Sequence, residues 1–484
     1  MNYKMIGRIQ ALVLFGEALF MLPALLICFY DRDWHTARAF AWSALLIVAV
    51  ATVMYLLCRK APRGFYEKEG FISVGLIWIV MSLLGCVPFV LSGAIPRFID
   101  AFFEIVSGFT TTGASIVPNV EALPRGVLYW RSFSHWVGGM GVLVFLLAIA
   151  PVFGRRNGYT MHIMRAESPG PSVGKLVPRV RQTAAILYGI YIALTALNLL
   201  FLLMGGMPLF DAVCTAFGTA GTGGFSVKNN SIAGYSPYIQ NVCTVFMFLF
   251  GINFTCYFLV IRRQWKAAVT DEELRLYAGL AVVSIATITI NLRTVYPAIS
   301  EALRHAAFQV SSVMTTTGFA TADFDRWPGL SKTILLTLML VGACAGSTGG
   351  GMKCIRLLLL LKNLRRNVKM VCSPQRVQNV RVNRKTITEK TLDNTNAYLA
   401  AYVLILLLSI LVISLDEMGI TTNISAVIAC FNNIGPGLEM VGPAGNYAAF
   451  SPLSKLVLIM DMLAGRLEIF PILVLFSQAT WRRR

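Results

Sequence analysis

Four short stretches carry residues suited to hold a dehydrated cation. The first is Ser107-Gly108-Phe109-Thr110-Thr111-Thr112-Gly113-Ala114-Ser115. Its echoes are Thr219-Ala220-Gly221-Thr222-Gly223-Gly224-Phe225-Ser226, Met314-Thr315-Thr316-Thr317-Gly318-Phe319-Ala320 and Asn432-Asn433-Ile434-Gly435-Pro436-Gly437. A cation that leaves water needs replacement oxygens, and backbone carbonyls supply them without titrating or carrying full charge. Glycine reaches positive φ at little cost, which lets successive carbonyls turn toward one axis; Thr adds a hydroxyl oxygen to its carbonyl. A helix ending just before such a loop aims the negative end of its dipole at the ion. The expected coordinating positions are Thr111, Thr112 and Gly113; Thr222 and Gly223; Thr316, Thr317 and Gly318; and Asn433, Ile434 and Gly435. One such loop is an ordinary glycine turn. Four, each between two hydrophobic stretches long enough to cross a bilayer, make one module used four times around a pore.

The elements that must position these loops are membrane spans. Of 484 residues, 56% are hydrophobic and 13% charged, and apolar runs of ~20 residues recur along the chain. The net charge of +19 suggests nucleic acid until its location is considered: 28 of the 42 Lys and Arg fall in residues 1–8, 56–69, 152–182, 262–276, 362–395 and 482–484, the segments assigned to the cytoplasm. That is a positive-inside topology signal, with both termini cytoplasmic. Lipid headgroups or an acidic partner surface are its secondary uses, and nucleic acid is not expected. The ten cysteines form no CxxC pair, and the four histidines (His35, His135, His162, His305) form no HExxH motif, so no zinc site is expected. The apolar run from Ile9 to Tyr30 is too long for a signal-peptide core and reads as a retained helix.

The spacing predicts an all-α polytopic membrane protein with five parts: an N-terminal helix pair (1–69) and four span, pore helix, loop, span repeats (70–151, 152–262, 263–372 and 373–484) around one pseudo-fourfold pore. The pair comprises helices at about 9–30 and 39–58. The repeat spans are expected near 71–92 and 127–150, 183–205 and 238–261, 277–292 and 332–361, and 396–415 and 453–477, giving ten crossings. Between them lie half-length apolar segments that enter from outside, stop near the middle and return. Such backbone survives only where protein or a water-filled cavity satisfies it. Asp100, Asp211 and Glu301 open three of these segments, as acids that favour helix starts or as charges that concentrate cations at the outer mouth. Glu17, inside the first helix, reads as a residue facing its helix neighbours.

The second span of repeat three is interrupted. Thr333 to Val341 leads into Gly342-Ala343-Cys344-Ala345-Gly346-Ser347-Thr348-Gly349-Gly350-Gly351-Met352-Lys353 before Ile355 to Leu361 resumes. So many glycines unwind a helix. The strip is not a phosphate-binding loop, because Met352 stands where the Lys belongs and Cys354 follows Lys353. Unwound backbone at membrane depth lines a path, so Gly346, Ser347, Thr348, Gly349, Gly350, Gly351 and Lys353 are gate candidates, with a packing bulge as the alternative. Arg466 lies well inside the last span. It is either a structural ion-pair partner of Glu468 or Asp461 or a positive barrier beneath the loops, touching the strip's carbonyls.

Together, the four repeats with glycines at Gly113, Gly223, Gly318 and Gly435, the break at 342–353 and the Gly465-Arg466-Leu467-Glu468 run resemble the TrkH/TrkG/KtrB superfamily of potassium transporters over the whole chain. The N-terminal helix pair resembles its TrkH-like branch. The resemblance implies potassium as substrate at the loop residues, no covalently held cofactor, uptake across the bacterial inner membrane, and a homodimer with one pore per protomer. It also implies a TrkA-like cytosolic regulatory subunit that binds nucleotides, with the strip and Arg466 as the gate beneath the filter. The basic segments 152–182 and 362–395 are the expected docking places. Loops two and four depart from the Thr-Thr-Thr run, leaving fewer hydroxyls at those corners. In related plant transporters a Ser at the first filter position accompanies sodium preference, so Gly113 argues for potassium. The alternative is a proton- or sodium-coupled transporter, whose relay would come from Glu17, Glu104, Asp461 and Glu468. No His/Asp/Ser or metal constellation converges, so no enzyme is expected.

Overall fold

The computed structural model describes residues 1–60, 67–139, 141, 180–373 and 378–481. The inner part of repeat one's second span, the basic segment 152–179 and the terminal residues 482–484 lie outside it. Among the described residues six helices are long and apolar enough to cross a membrane, and a seventh counts if the bent pair Pro237–Phe250 and Phe254–Ile261 is one span. The six are Tyr3–Tyr30, Trp34–Leu57, Lys68–Leu91, Ala184–Met204, Glu272–Thr294 and Glu389–Asp416. A two-stranded hairpin, Arg381–Val382 with Lys385–Thr386, is the one feature of the described residues that an all-helical reading omits.

Four shorter helices sit inside this bundle: Phe98–Phe109, Leu209–Gly221, Ile299–Met314 and Ile420–Phe431, numbered pore helices one to four. At ~1.5 Å per residue they reach ~18 to 24 Å, short of the ~30 Å hydrocarbon core. Each begins after extended or glycine backbone and, in the first three, carries an acid in its first turn: Asp100, Asp211 and Glu301. These acids are engaged locally. Asp100 pairs with Lys455 at 2.6 Å, Asp211 accepts from the Tyr235 hydroxyl at 2.8 Å, and Glu301 stands 3.9 Å from His305.

The second spans of repeats two, three and four all break. In repeat two the axis bends by 89° between Phe250 and Phe254; in repeat three the helix stops at Val341 and resumes at Cys354; in repeat four it stops at Arg466 and resumes at Phe470. Only the repeat-three break was legible in the glycine content. In repeat four the chain leaves helical geometry at Glu468 and Ile469, both at positive φ without being Gly. A Cβ on Gly465 would lie 1.8 Å from the Phe431 carbonyl oxygen that ends pore helix four, and one on Gly138 would lie 1.8 Å from that of Phe109 in repeat one. The spans of repeats one and four therefore press backbone to backbone on the ends of their pore helices.

The N-terminal pair packs on repeat one, with the Cys28 sulfur where a Gly126 Cβ would be, 2.2 Å away. The largest apolar core runs continuously from this pair through pore helix one to repeat four, and separate cores serve repeats two and three. Gly465→Ala should destabilise the fold by at least ~1–3 kcal/mol, because the contacting atom is backbone and cannot swing aside. A thermal melt in detergent checks it; an unchanged midpoint would mean the span and pore helix four are free to separate.

Candidate functional site

All four pore helices end in the same backbone motif. The amide of Thr112 donates to Ser107, Gly223 to Gly218, Thr317 to Ser312 and Ile434 to Ala429, each at 2.8 Å. One residue earlier, Thr111 donates to Gly108, Thr222 to Thr219, Thr316 to Val313 and Asn433 to Cys430, at 3.1 to 3.2 Å. This is the Schellman pattern, whose left-handed residue is ordinarily Gly. Here that residue is Thr111 (φ 55), Thr222 (φ 55), Thr316 (φ 59) or Asn433 (φ 56). A β-branched residue at positive φ is strained by ~1–3 kcal/mol and persists only when its surroundings hold it.

The hydrogen bonds also fix the register between repeats. Thr112, Gly223, Thr317 and Ile434 are positional counterparts, and so are Gly113, Gly224, Gly318 and Gly435, all at positive φ. Matching loops on a Thr-Gly pair places Gly223 opposite Gly113; the structure places Gly224 there. The four glycines close a ring. A Cβ on Gly113 would lie 2.0 Å from the Gly223 carbonyl oxygen, on Gly224 2.1 Å from that of Thr317, on Gly318 2.0 Å from that of Ile434, and on Gly435 2.7 Å from that of Thr112. Each loop thus abuts the next, the fourth returns to the first, and the atoms in contact are carbonyl oxygens of equivalent residues. All four glycines line one shared cavity of about 170 Å³ on the far side of the loops from the pore-helix ends.

Side chains brace the corners differently. In loops one and three the Thr110 and Thr112 hydroxyls, and those of Thr315 and Thr317, bond each other at 2.8 and 2.7 Å. In loop two buried His135 fills the corresponding space. Its Nδ1 meets the Gly108 carbonyl at 2.8 Å and its Nε2 accepts from the Phe225 amide at 3.2 Å, so the ring carries its proton on Nδ1. A Cβ on Gly223 would lie 2.2 Å from that ring, which accounts for the missing hydroxyl. In loop four Asn433 donates to the Thr112 hydroxyl at 3.0 Å and to the Met462 carbonyl at 2.9 Å.

Behind loop one lies a buried ion pair absent from the sequence reading. Arg131 Nε donates to Glu104 at 2.8 Å, and Glu104 also accepts from the Ser115 hydroxyl and the Ile116 amide, both at 2.9 Å. An ionisable residue inside an apolar span is a functional or structural signal by default, and that rule would have found Arg131.

The broken strip packs against the inner ends of the loops. Gly350 N donates to the Thr316 hydroxyl at 2.6 Å, and a Cβ on Gly350 would meet the Asn432 carbonyl at 2.7 Å. Its remaining backbone is held by neighbours: Cys344 N donates to Gly251 (3.1 Å), Gly346 accepts from Phe254 N (3.0 Å), and buried Glu273 accepts from the amides of Ala345 (2.6 Å) and Ile355 (3.0 Å). Ser347 Oγ donates to Cys344, Thr348 Oγ1 to Phe250, and Lys353 Nζ to Gly349. Gly346, Gly351 and Lys353 adopt positive φ, while Gly349 fits against the Thr315 carbonyl, 2.9 Å from its would-be Cβ.

Arg466 joins the strip to loop one. It donates to the Thr348 carbonyl at 2.8 Å, the Thr111 hydroxyl at 3.2 Å, the Gly139 carbonyl at 2.7 Å and the Gly138 carbonyl. Of the carboxylates expected beside it, Glu468 pairs with Arg356, and Asp461 accepts from Ser409 at 2.7 Å.

A bundle of spans enclosing four re-entrant helices whose loops meet in one backbone ring defines a four-repeat membrane protein contained in a single chain. The family model described as TrkH, cation transport protein, matches residues 36–483. The Trk system potassium uptake protein TrkH of Salmonella typhimurium is 37% identical over 100% of both chains, and TrkG of Escherichia coli is 31% identical over 96% of each. The crystal structure of the potassium transporter TrkH from Vibrio parahaemolyticus superposes with a TM-score of 0.88 at 32% identity, covering 100% of both chains. This chain belongs to the TrkH family of cation transport proteins, and is a transport protein rather than an enzyme.

The Arg131–Glu104 pair yields a stability prediction. Arg131→Met leaves Glu104 buried and uncompensated, which should cost ~3–5 kcal/mol, whereas adding Glu104→Leu should recover part of the loss. Thermal unfolding of the two variants in detergent checks it, and equal stability of wild type and single variant contradicts the pairing.

Proposed function

We propose that the chain takes potassium into the cell through the ring formed by its four loops. The observation that carries this reading is the closed ring of backbone carbonyls at Thr112, Gly223, Thr317 and Ile434, each fitted to a glycine of the neighbouring loop. Carbonyl oxygens arranged in this way replace a hydration shell, and pore-helix C-termini directed at the ring add their dipoles. The relatives' names as potassium uptake proteins support the choice of ion. Ions reach the ring from the cavity lined by Gly113, Gly224, Gly318 and Gly435.

The strip 346–353 and Arg466 act as the gate. Thr348 and Gly350 bridge from the strip to Arg466 and Thr316, so the cover is tied to the filter's inner end and must release these bonds to let ions pass. A TrkA-like cytosolic subunit that binds nucleotides controls that release from the basic cytosolic segments, of which the hairpin Arg381–Thr386 is one part. The working unit is a homodimer in the bacterial inner membrane with both termini in the cytoplasm. Coupled transport by protons or sodium is less well supported. Glu104 and Glu468 are held by Arg131 and Arg356, while Glu17 and Asp461 stand behind the pore walls against Gly85 and Ser409.

The deciding experiment is flux into proteoliposomes holding this chain alone, comparing potassium, rubidium and sodium with and without an imposed voltage. Flux that follows voltage and favours potassium is expected; a requirement for a proton or sodium gradient would refute the pore. Gly113→Ser and Gly318→Ser should shift the potassium-to-sodium ratio by about tenfold, or ~1.4 kcal/mol of discrimination, and an unchanged ratio would remove the filter assignment. Arg466→Ala should raise basal flux several-fold without any partner, provided the variant elutes as folded protein. Unaltered flux would reduce Arg466 to a packing role.

A further inference from the structure

The helix Cys354–Cys372, which follows the strip directly, carries a surface that neither filter nor cover uses. Its first turns are locked in place: Ile355 and Leu359 join a small buried cluster, and further on Lys362 pairs with Glu272 and Arg366 with Glu389. On another face Leu361, Leu364, Val368 and Val371 are 50%, 62%, 57% and 81% exposed. Spacings of three, four and three put them within about 80° of the helix circumference, a single apolar stripe. Arg365 and Lys369 adjoin it on one side, are exposed, and make no ion pair among the described residues.

Depth decides what this stripe meets. The strip touches the filter's inner end, near the middle of the bilayer. At ~1.5 Å per residue, Leu361 lies about 12 Å and Val371 about 27 Å along the helix from Lys353. Half the hydrocarbon thickness is ~15 Å and the headgroups end at ~20–22 Å, so a stripe reaching about 27 Å along the helix stays at the interface only where the helix inclines toward the membrane plane. A helix with an apolar stripe and a basic margin suits an interface carrying negative lipid.

We infer that this helix inclines so that its stripe lies in the cytoplasmic leaflet and that Arg365 and Lys369 bind the headgroups of anionic phospholipids. Because the helix is continuous with Lys353, the bound headgroups hold one end of the strip.

The test uses the full chain in vesicles of phosphatidylcholine with rising fractions of phosphatidylglycerol. An environment-sensitive fluorophore is attached to Cys372, the exposed cysteine at the helix end. The label should move to an apolar setting as anionic lipid rises, and added salt should reverse the shift. R365Q or K369Q alone should raise the anionic-lipid midpoint about fivefold, the change corresponding to ~1 kcal/mol per basic residue near the surface. K369R should keep the wild-type midpoint, which separates lost charge from misfolding, and L364Q should abolish the shift. An emission that ignores phosphatidylglycerol overturns the proposal. So does bismaleimide joining of Cys372 between two copies at every lipid composition, which would mean that a second copy covers the stripe. Shielding that appears only with an added acidic soluble protein likewise overturns it.

Discussion

Backbone that leaves helical geometry inside a bilayer must find its hydrogen bonds within the protein, and the rest of this fold answers to that constraint. Four loops and a twelve-residue strip are non-helical at this depth, and they satisfy one another. The strip's amides are taken by Glu273, Gly251 and Thr316, its carbonyls by Phe254, Lys353 and Arg466. Breaks in the spans of repeats two and four place Gly251 and Arg466 where the strip needs them. The ring of loops and the strip are therefore one hydrogen-bonded body rather than two separate parts.

Within that body, backbone geometry is repeated four times while side chains are not. Every pore helix ends with a left-handed Thr or Asn where Gly would relax the chain, and the side chain gained there is put to use. Thr316 accepts from the strip, Thr111 accepts from Arg466, and Asn433 reaches across to loop one. The cost of positive φ is offset by contacts glycine cannot make. Elsewhere the requirement is reversed: Gly223 is small because His135 occupies its corner.

Much of this was legible in the chain. Recurrent Thr-Gly loops between apolar runs located the pore helices, and the glycine density of 342–353 located the interrupted span. The register of loop two was not legible, because Gly221-Thr222-Gly223-Gly224 offers two glycines after its Thr and only the helix-end hydrogen bonds choose between them. The break after Arg466 was hidden because no glycine stands in it: the residues that leave helical geometry there, Glu468 and Ile469, adopt positive φ. Asp100 illustrates the opposite limit: its place at a helix start was readable, but its pairing with Lys455, 355 residues away, was not.

The ring closes where Gly435 meets the carbonyl of Thr112, and the bond from Asn433 to Thr112 spans 321 residues of sequence. During synthesis the first corner emerges long before the last, so the ring is assembled in order and completed only by the C-terminal repeat. Until then Thr112 faces an open side, and Arg466, 355 residues after Thr111, arrives later still to tie the strip to loop one. A chain truncated before repeat four thus inserts three corners that cannot close. Such a protein leaves the ring open beside Thr112, however well its first three repeats fold.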